Sequence, residues 1–226
     1  YKEGYITIQD ESSMLVAKVL DPQPAMSVLD VAAAPGGKTT HIAELMKDQG
    51  QVIAADLHKH KIQLIEQQQQ RLGLHIIKTI HADAREIGRH VGPIFDRILL
   101  DVPCSGLGVI RRKPDIKWVK TEKDVKEIVA IQQVILSHAS SLLKPGGVMV
   151  YSTCTLTPEE NQKMIEDFLK NNQWFELDQQ LPAYLPEAVN QKLDASNGMV
   201  QILPHHFDTD GFFISRLLKK KLEIMI

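Results

Sequence analysis

The chain has 226 residues, 43% of them hydrophobic and 24% charged, with a formal net charge of -2. It can bury a sizeable core as one large domain or two small ones, and its balanced charge excludes whole-protein attraction to nucleic acid, so any such binding must be local. Its two cysteines exclude a disulfide scaffold or a complete zinc site, and no apolar run approaches the ~20 residues of a membrane helix.

A cytoplasmic, reduced protein is the expectation, with no metal and no membrane partner. The chain starts at Tyr1 rather than Met, which reads as a fragment whose natural N-terminal part is missing. Gln9-Asp10-Glu11-Ser12-Ser13 places capping residues ahead of Met14, Leu15, Val16, Val19 and Leu20, predicting an amphipathic helix stopped by Asp21-Pro22. Residues 1–25 thus form a helical lead-in. Residues 27–31 then read as a short apolar strand, followed by Ala32, Ala33, Ala34, Pro35, Gly36, Gly37 and Lys38 and a helix over about 39–47.

That small-residue loop leaves backbone amides bare at a helix N-terminus, where the dipole favours an electron-rich group. A nucleotide phosphate fits, because Gly37-Lys38-Thr39 resembles the end of a P-loop. The amino-acid part of S-adenosylmethionine fits too, and so does a turn with no ligand at all. Against the P-loop, Ala32 stands where that motif has Gly, and Pro35 lies within the phosphate curl.

Residues 51–55 form a second strand ending at Asp56, followed by a helix over 59–72 that Gly73 ends. Residues 76–80 are a third strand leading to Asp83, and residues 95–100 a fourth, apolar enough to be covered on both faces. Asp101-Val102-Pro103-Cys104-Ser105-Gly106 closes it. A loop over 111–118, a helix over 122–143, a turn at 144–147 and a fifth strand over 148–152 follow, and that strand ends at Thr153-Cys154-Thr155. Pro158-Glu159-Glu160 opens a further helix to about 170, with acids near its positive end. Residues 199–203 and 212–217 are later strands, and 219–226 a solubilising tail. The alternation predicts one α/β domain with a doubly wound, mostly parallel sheet, seven-stranded with the two later strands. In such sheets ligands gather at the carboxyl ends of strands, where Asp30, Asp56, Asp83, Asp101 and Cys154 fall.

Asp56 is placed to accept from ribose hydroxyls, or simply to cap a helix; Asp83 is placed to accept from an adenine amino group. Two acids suit an adenosyl group better than a triphosphate, which gains nothing from added negative charge. A lone cysteine is usually a small buried hydrophobe. Here both cysteines sit at the ends of neighbouring strands, and the Cys-x-x-Cys spacing of a redox pair is absent. The helix predicted from Pro158 would help to lower the Cys154 pKa. Two thiols and an acid suit methylation of carbon 5 of cytosine, in which a thiolate adds to carbon 6 while Asp101 steadies N3.

The segment 30–39, Asp101-Val102-Pro103-Cys104-Ser105-Gly106, Arg112-Lys113-Pro114-Asp115-Ile116-Lys117-Trp118, Tyr151-Ser152-Thr153-Cys154 and Thr209-Asp210-Gly211-Phe212-Phe213 resemble the successive motifs of the RNA 5-methylcytosine methyltransferases. The match covers nearly the whole chain and displaces the P-loop reading. It implies a class I, Rossmann-like, S-adenosylmethionine-dependent methyltransferase domain acting on 16S ribosomal RNA, monomeric, with an N-terminal helical RNA-binding domain absent from the chain. Ala32 to Lys38, Asp56, Asp83 and Asp101 would line the cofactor site, Cys154 would be the nucleophile, and Cys104 would assist product release. Thr155 stands where the family often has Ser. From the residues themselves, Arg111, Arg112, Lys117 and Trp118 are either the candidate RNA contacts, cations for phosphate and an aromatic for stacking, or part of a solvated loop that covers the cleft. A P-loop-like NTPase and a non-catalytic RNA-binding module are the alternative functions.

Overall fold

The computed structural model describes residues 1–221. The capped segment forms α1 (Glu11–Leu20), where the Asp10 carboxylate accepts from the Ser12 backbone N–H at 3.0 Å. The alternation then runs β1 (Ser27–Asp30), α2 (Gly37–Leu45), β2 (Gln51–Asp56), α3 (Lys59–Leu72) and β3 (Ile77–His81). A 3-10 turn over Ala84–Arg89 leads to β4 (Phe95–Asp101), and a loop with the short helix α4 (Ile116–Val119) leads to α5 (Glu122–Ser141) and β5 (Leu143–Thr153). After these come α6 (Gln162–Asn171), β6 (Phe175–Leu177), α7 (Glu187–Asn190), β7 (Met199–Ile202), α8 (Pro204–Phe207) and β8 (Phe212–Lys219).

The sheet has the order β3-β2-β1-β4-β5-β8-β6, with β7 also paired to β8. The first five strands are parallel, whereas β8 runs antiparallel to β5, β6 and β7. The expected mostly parallel α/β sheet is present, its seven expected strands joined by one short further strand. The additional strand, β6, spans 3 residues and is too short to show an alternation.

Successive residues of a strand face opposite sides, so Val28 and Val52 pack with α1, α2 and α3, while Leu29 and Ile53 pack with α5 and α6. Each fully buried Val, Leu or Ile contributes about 1.5–3 kcal/mol of hydrophobic stabilisation.

Three expectations are corrected. The turn at 144–147 lies inside β5 as a bulge, absorbed by a register shift between Phe95 and Arg97 of β4. The helix expected from Pro158 starts at Gln162, which releases Glu160 into the core, where it is 0% exposed. In the expected tail, Lys219 belongs to β8 and donates to the carbonyls of Ser140 and Leu143, and Lys220 pairs with Glu176. Residues 222–226 of that tail lie outside the described residues.

Candidate active site

The carboxyl ends of β1, β2, β4 and β5 meet at one place. Ala32, Ala34, Asp56, Asp83 and Asp101 line a cleft of about 400 Å³ with Val31, Pro103 and Ile135. No side chain caps the first N–H groups of α2, and the alanines bring no bulk to the cleft floor. Asp56 accepts from the backbone N–H groups of Ala34 at 3.2 Å and His58 at 2.9 Å. Asp83 caps the turn after β3, and the Arg85 guanidinium on its carboxylate holds its pKa below the usual range. A larger hollow of about 700 Å³ between that turn and α5 shares Asp83 and Arg85 with this cleft, and neither lining includes Cys104 or Cys154.

The rest of the loop does not line this cleft. Ala33 is buried in the core; Pro35 and Gly36 form the turn into α2. Gly37 borders a separate groove with Gln9 and Thr40. Lys38 was expected among the cofactor contacts, yet its ammonium lies 2.8 Å from Asp101 Oδ2. Ser152 Oγ donates to the other Asp101 oxygen at 2.8 Å. The lysine that a P-loop would aim at phosphate is thus committed to a carboxylate.

Cys104 and Cys154 come from the loops after β4 and β5, and their sulfurs are 3.2 Å apart. Their acidities separate. The hydrogen bond with Cys104 holds the Cys154 thiol below its ordinary value, aided by Lys38 and opposed by burial and Asp101. The same bond, burial and the Glu160 charge push Cys104 well above it. With no helix starting at Pro158, the expected dipole effect on Cys154 gives way to a thiol donor and a lysine.

Asp30 lies near Lys38 and Asp101, 1% exposed, with Oδ2 accepting from the Thr39 hydroxyl at 2.7 Å and Oδ1 unpartnered. Burial pushes its pKa up to about 7, against the Thr39 hydroxyl. The folded state therefore keeps a proton that the unfolded chain releases in the usual carboxylate range, so stability from this group is fully present below about pH 4 and is lost as the pH rises to about 7. Asp30→Asn should remove that slope. Between pH 5 and 8 the wild type should lose about 2 kcal/mol relative to the variant in urea unfolding, and a difference that stays flat with pH would refute the assignment.

Of the expected RNA contacts, two are engaged within the chain. Arg111 pairs with Asp208 and donates to the Thr209 carbonyl at 3.2 Å; Arg112 forms a two-point ion pair with Asp210. They fasten the 111–118 loop to the segment ahead of β8. Lys117 and Trp118 face outward, with Trp118 79% exposed and the lysine 4.9 Å from its ring centre. Sequence reading missed Ser105, Gln132 and Glu160, which interlock beneath the thiols. It placed Glu160 in a helix turn, and only tertiary contacts reveal its role.

The sheet order, the reversed β8 and a site at the strand ends define the class I, Rossmann-like fold of the S-adenosylmethionine-dependent methyltransferases. The family model described as "16S rRNA methyltransferase RsmB/F" matches residues 17–218, and the chain belongs to that family. It is 51% identical over 221 residues to a Bacillus subtilis (strain 168) protein named "Probable ribosomal RNA small subunit methyltransferase B", covering 97% of this chain and 49% of that protein. A Synechocystis protein of the same name is 46% identical over 222 residues, again covering 97% of this chain and 49% of the relative. The chain therefore spans about half the length of these curated relatives. Among solved structures, NSun6 from Pyrococcus horikoshii with SFG superposes with a TM-score of 0.83 at 34% identity, covering 97% of this chain and 54% of that one.

Proposed function

We propose that this chain is a catalytic domain that uses S-adenosylmethionine to methylate carbon 5 of a cytosine in 16S ribosomal RNA, with Cys154 as the nucleophile. The observation that carries the reading is the pair of thiols 3.2 Å apart, one made more acidic by the bond between them and by Lys38, the other held protonated. The small-residue floor and the carboxylates of Asp56 and Asp83 suit an adenosyl group. Bound there, S-adenosylmethionine would supply an electrophilic methyl group.

Carbon 5 of cytosine is too weak a nucleophile to take that methyl unaided. Cys154 thiolate forms a bond to carbon 6, the carbon 5–carbon 6 electron pair makes carbon 5 nucleophilic, and Asp101 steadies N3 by sharing the proton that balances the added charge. After methylation the carbon 5 proton passes to water, its electron pair reforms the ring double bond, and the bond to Cys154 breaks with the sulfur leaving as a thiolate. Cys104, the adjacent protonated thiol, assists this release. Lys38 favours the Cys154 thiolate and holds Asp101 in place. Lys117 and Trp118 are the exposed cation and aromatic for phosphate and base, while Arg111 and Arg112 hold their loop.

RNA carrying 5-fluorocytosine at the target tests this. Fluorine does not leave as a cation, so the enzyme should be trapped on the RNA in the presence of S-adenosylmethionine. The adduct should persist in Cys104→Ala and vanish in Cys154→Ala. Loss only in Cys104→Ala reverses the two roles, and no adduct in any variant sinks the covalent mechanism.

A further inference from the structure

Cys104 and Cys154 lie on separate loops, and neither loop alone sets the distance between their sulfurs. The connection is made one residue further along each. The Thr155 hydroxyl lies 2.6 Å from Ser105 Oγ, and Ser105 in turn donates its proton to Glu160. Glu160 Oε1 also accepts from the Thr157 hydroxyl at 2.7 Å, and Oε2 accepts from the Ser105 backbone N–H at 2.8 Å and the Gln132 amide at 3.0 Å. Gln132, reaching in from α5, gives its other N–H to the Pro103 carbonyl at 2.9 Å. Two acceptors fix the orientation of that amide, and its own oxygen is left unpartnered.

The residues that follow both cysteines are thereby joined to each other, and the Pro103–Cys104–Ser105 turn is held from two sides. Gln132, Thr155 and Glu160 are each 0% exposed and Ser105 3%. No cation pairs with Glu160 among the described residues. A buried carboxylate without a cation is costly to keep, and here four donor groups converge on it that would otherwise be left without an acceptor. What the carboxylate adds is position.

We propose that Glu160 is a positioning residue that sets the two thiols against each other, holding the Cys104 turn so that its thiol donates to Cys154. Its charge acts in the same sense. Lys38 stands on the Cys154 side and Glu160 on the Cys104 side, so the pair is polarised toward a Cys154 thiolate and a Cys104 thiol. Asp101, Tyr151 and Arg112 are the other titratable groups that act on the thiols or respond to them. The catalytic meaning of this arrangement rests on the covalent reading above, whereas the arrangement itself can be measured without RNA.

Iodoacetamide alkylation of each cysteine, followed by mass spectrometry from pH 5 to 10, provides that measurement. In the wild type Cys154 should react with a midpoint well below that of Cys104. In Glu160→Gln the amide places an N–H against groups that themselves donate, and the two midpoints should converge by at least about one pH unit, the scale of a lost hydrogen bond plus a lost charge. Glu160→Asp keeps the charge but falls a methylene short, so it should restore only part of the separation. Ser105→Ala keeps the carboxylate and the backbone contact while removing the hydroxyl bridge. It should narrow the gap by less, and it decides the matter if Glu160→Gln does not fold. Unchanged midpoints in folded Glu160→Gln, or in Ser105→Ala where Glu160→Gln is unfolded, overturn the proposal. Converging midpoints with no fluorocytosine adduct even in the wild type would support the role of Glu160 and reject the covalent chemistry instead.

Discussion

Lys38→Met should abolish adduct formation and move the alkylation midpoint of Cys154 to higher pH. Met keeps the length of the side chain but removes the charge that Asp101 meets at 2.8 Å. Asp101 then shares the space with Asp30, its charge unbalanced, and Cys154 loses the nearby cation that favours its thiolate. Removing one partner of a fully buried pair costs about 3–5 kcal/mol. With the Asp101 side chain 28% exposed, water relieves part of this, and about 2–3 kcal/mol is expected. At the usual response of a chain this size that is a fall of about 4–12 °C in melting temperature. A variant that melts like the wild type and alkylates Cys154 at the same pH would falsify the role given to Lys38.

Gly108→Ala should be nearly as damaging, for a steric reason. A methyl group at this position would be driven into the Gly211 carbonyl oxygen and would lie 2.8 Å from the Cys154 carbonyl oxygen. Both are backbone atoms and neither can swing aside. Two hydrogen bonds depend on this close approach: Gly108 N–H to the Cys154 carbonyl at 2.9 Å, and Gly211 N–H to the Gly108 carbonyl at 2.8 Å. Their loss, at about 1 kcal/mol each, together with the clash puts the cost at about 3 kcal/mol or more. Thermal melting should show the drop, and the fluorocytosine adduct should be lost with it. A variant with a wild-type melt and a normal adduct would mean that the three strands of backbone can separate without harm.

Much of the site was legible because it sits where periodicity and turn chemistry speak most clearly. Strand ends were marked by an apolar run followed by Asp, Gly or Pro, and those marks located Asp56, Asp101, Cys104 and Cys154 on one side of the sheet. Contacts between distant segments were not legible. Lys38 and Asp101 are 63 positions apart, and the sequence around Lys38 resembles a phosphate loop more than half of an ion pair. Glu160 followed a proline at what looked like a helix start, and only its burial against Ser105 and Gln132 shows otherwise. Arg111 and Arg112 looked like free cations because their partners, Asp208 and Asp210, lie about a hundred residues on. The reach of a long side chain across the fold leaves no local trace.

The reversed strand β8 also governs when the site can come into being. It lies between β5 and β6, and the segment just ahead of it supplies Asp210 for Arg112 and Gly211 for Gly108. During synthesis the chain emerges N-terminus first, so both thiol loops leave the ribosome well before the segment that braces them. Until β8 arrives, β5 is an open sheet edge, prone to pair with the wrong strand. Bracing of the two thiol loops therefore waits for β8, which also brings β6 and β7 into the sheet.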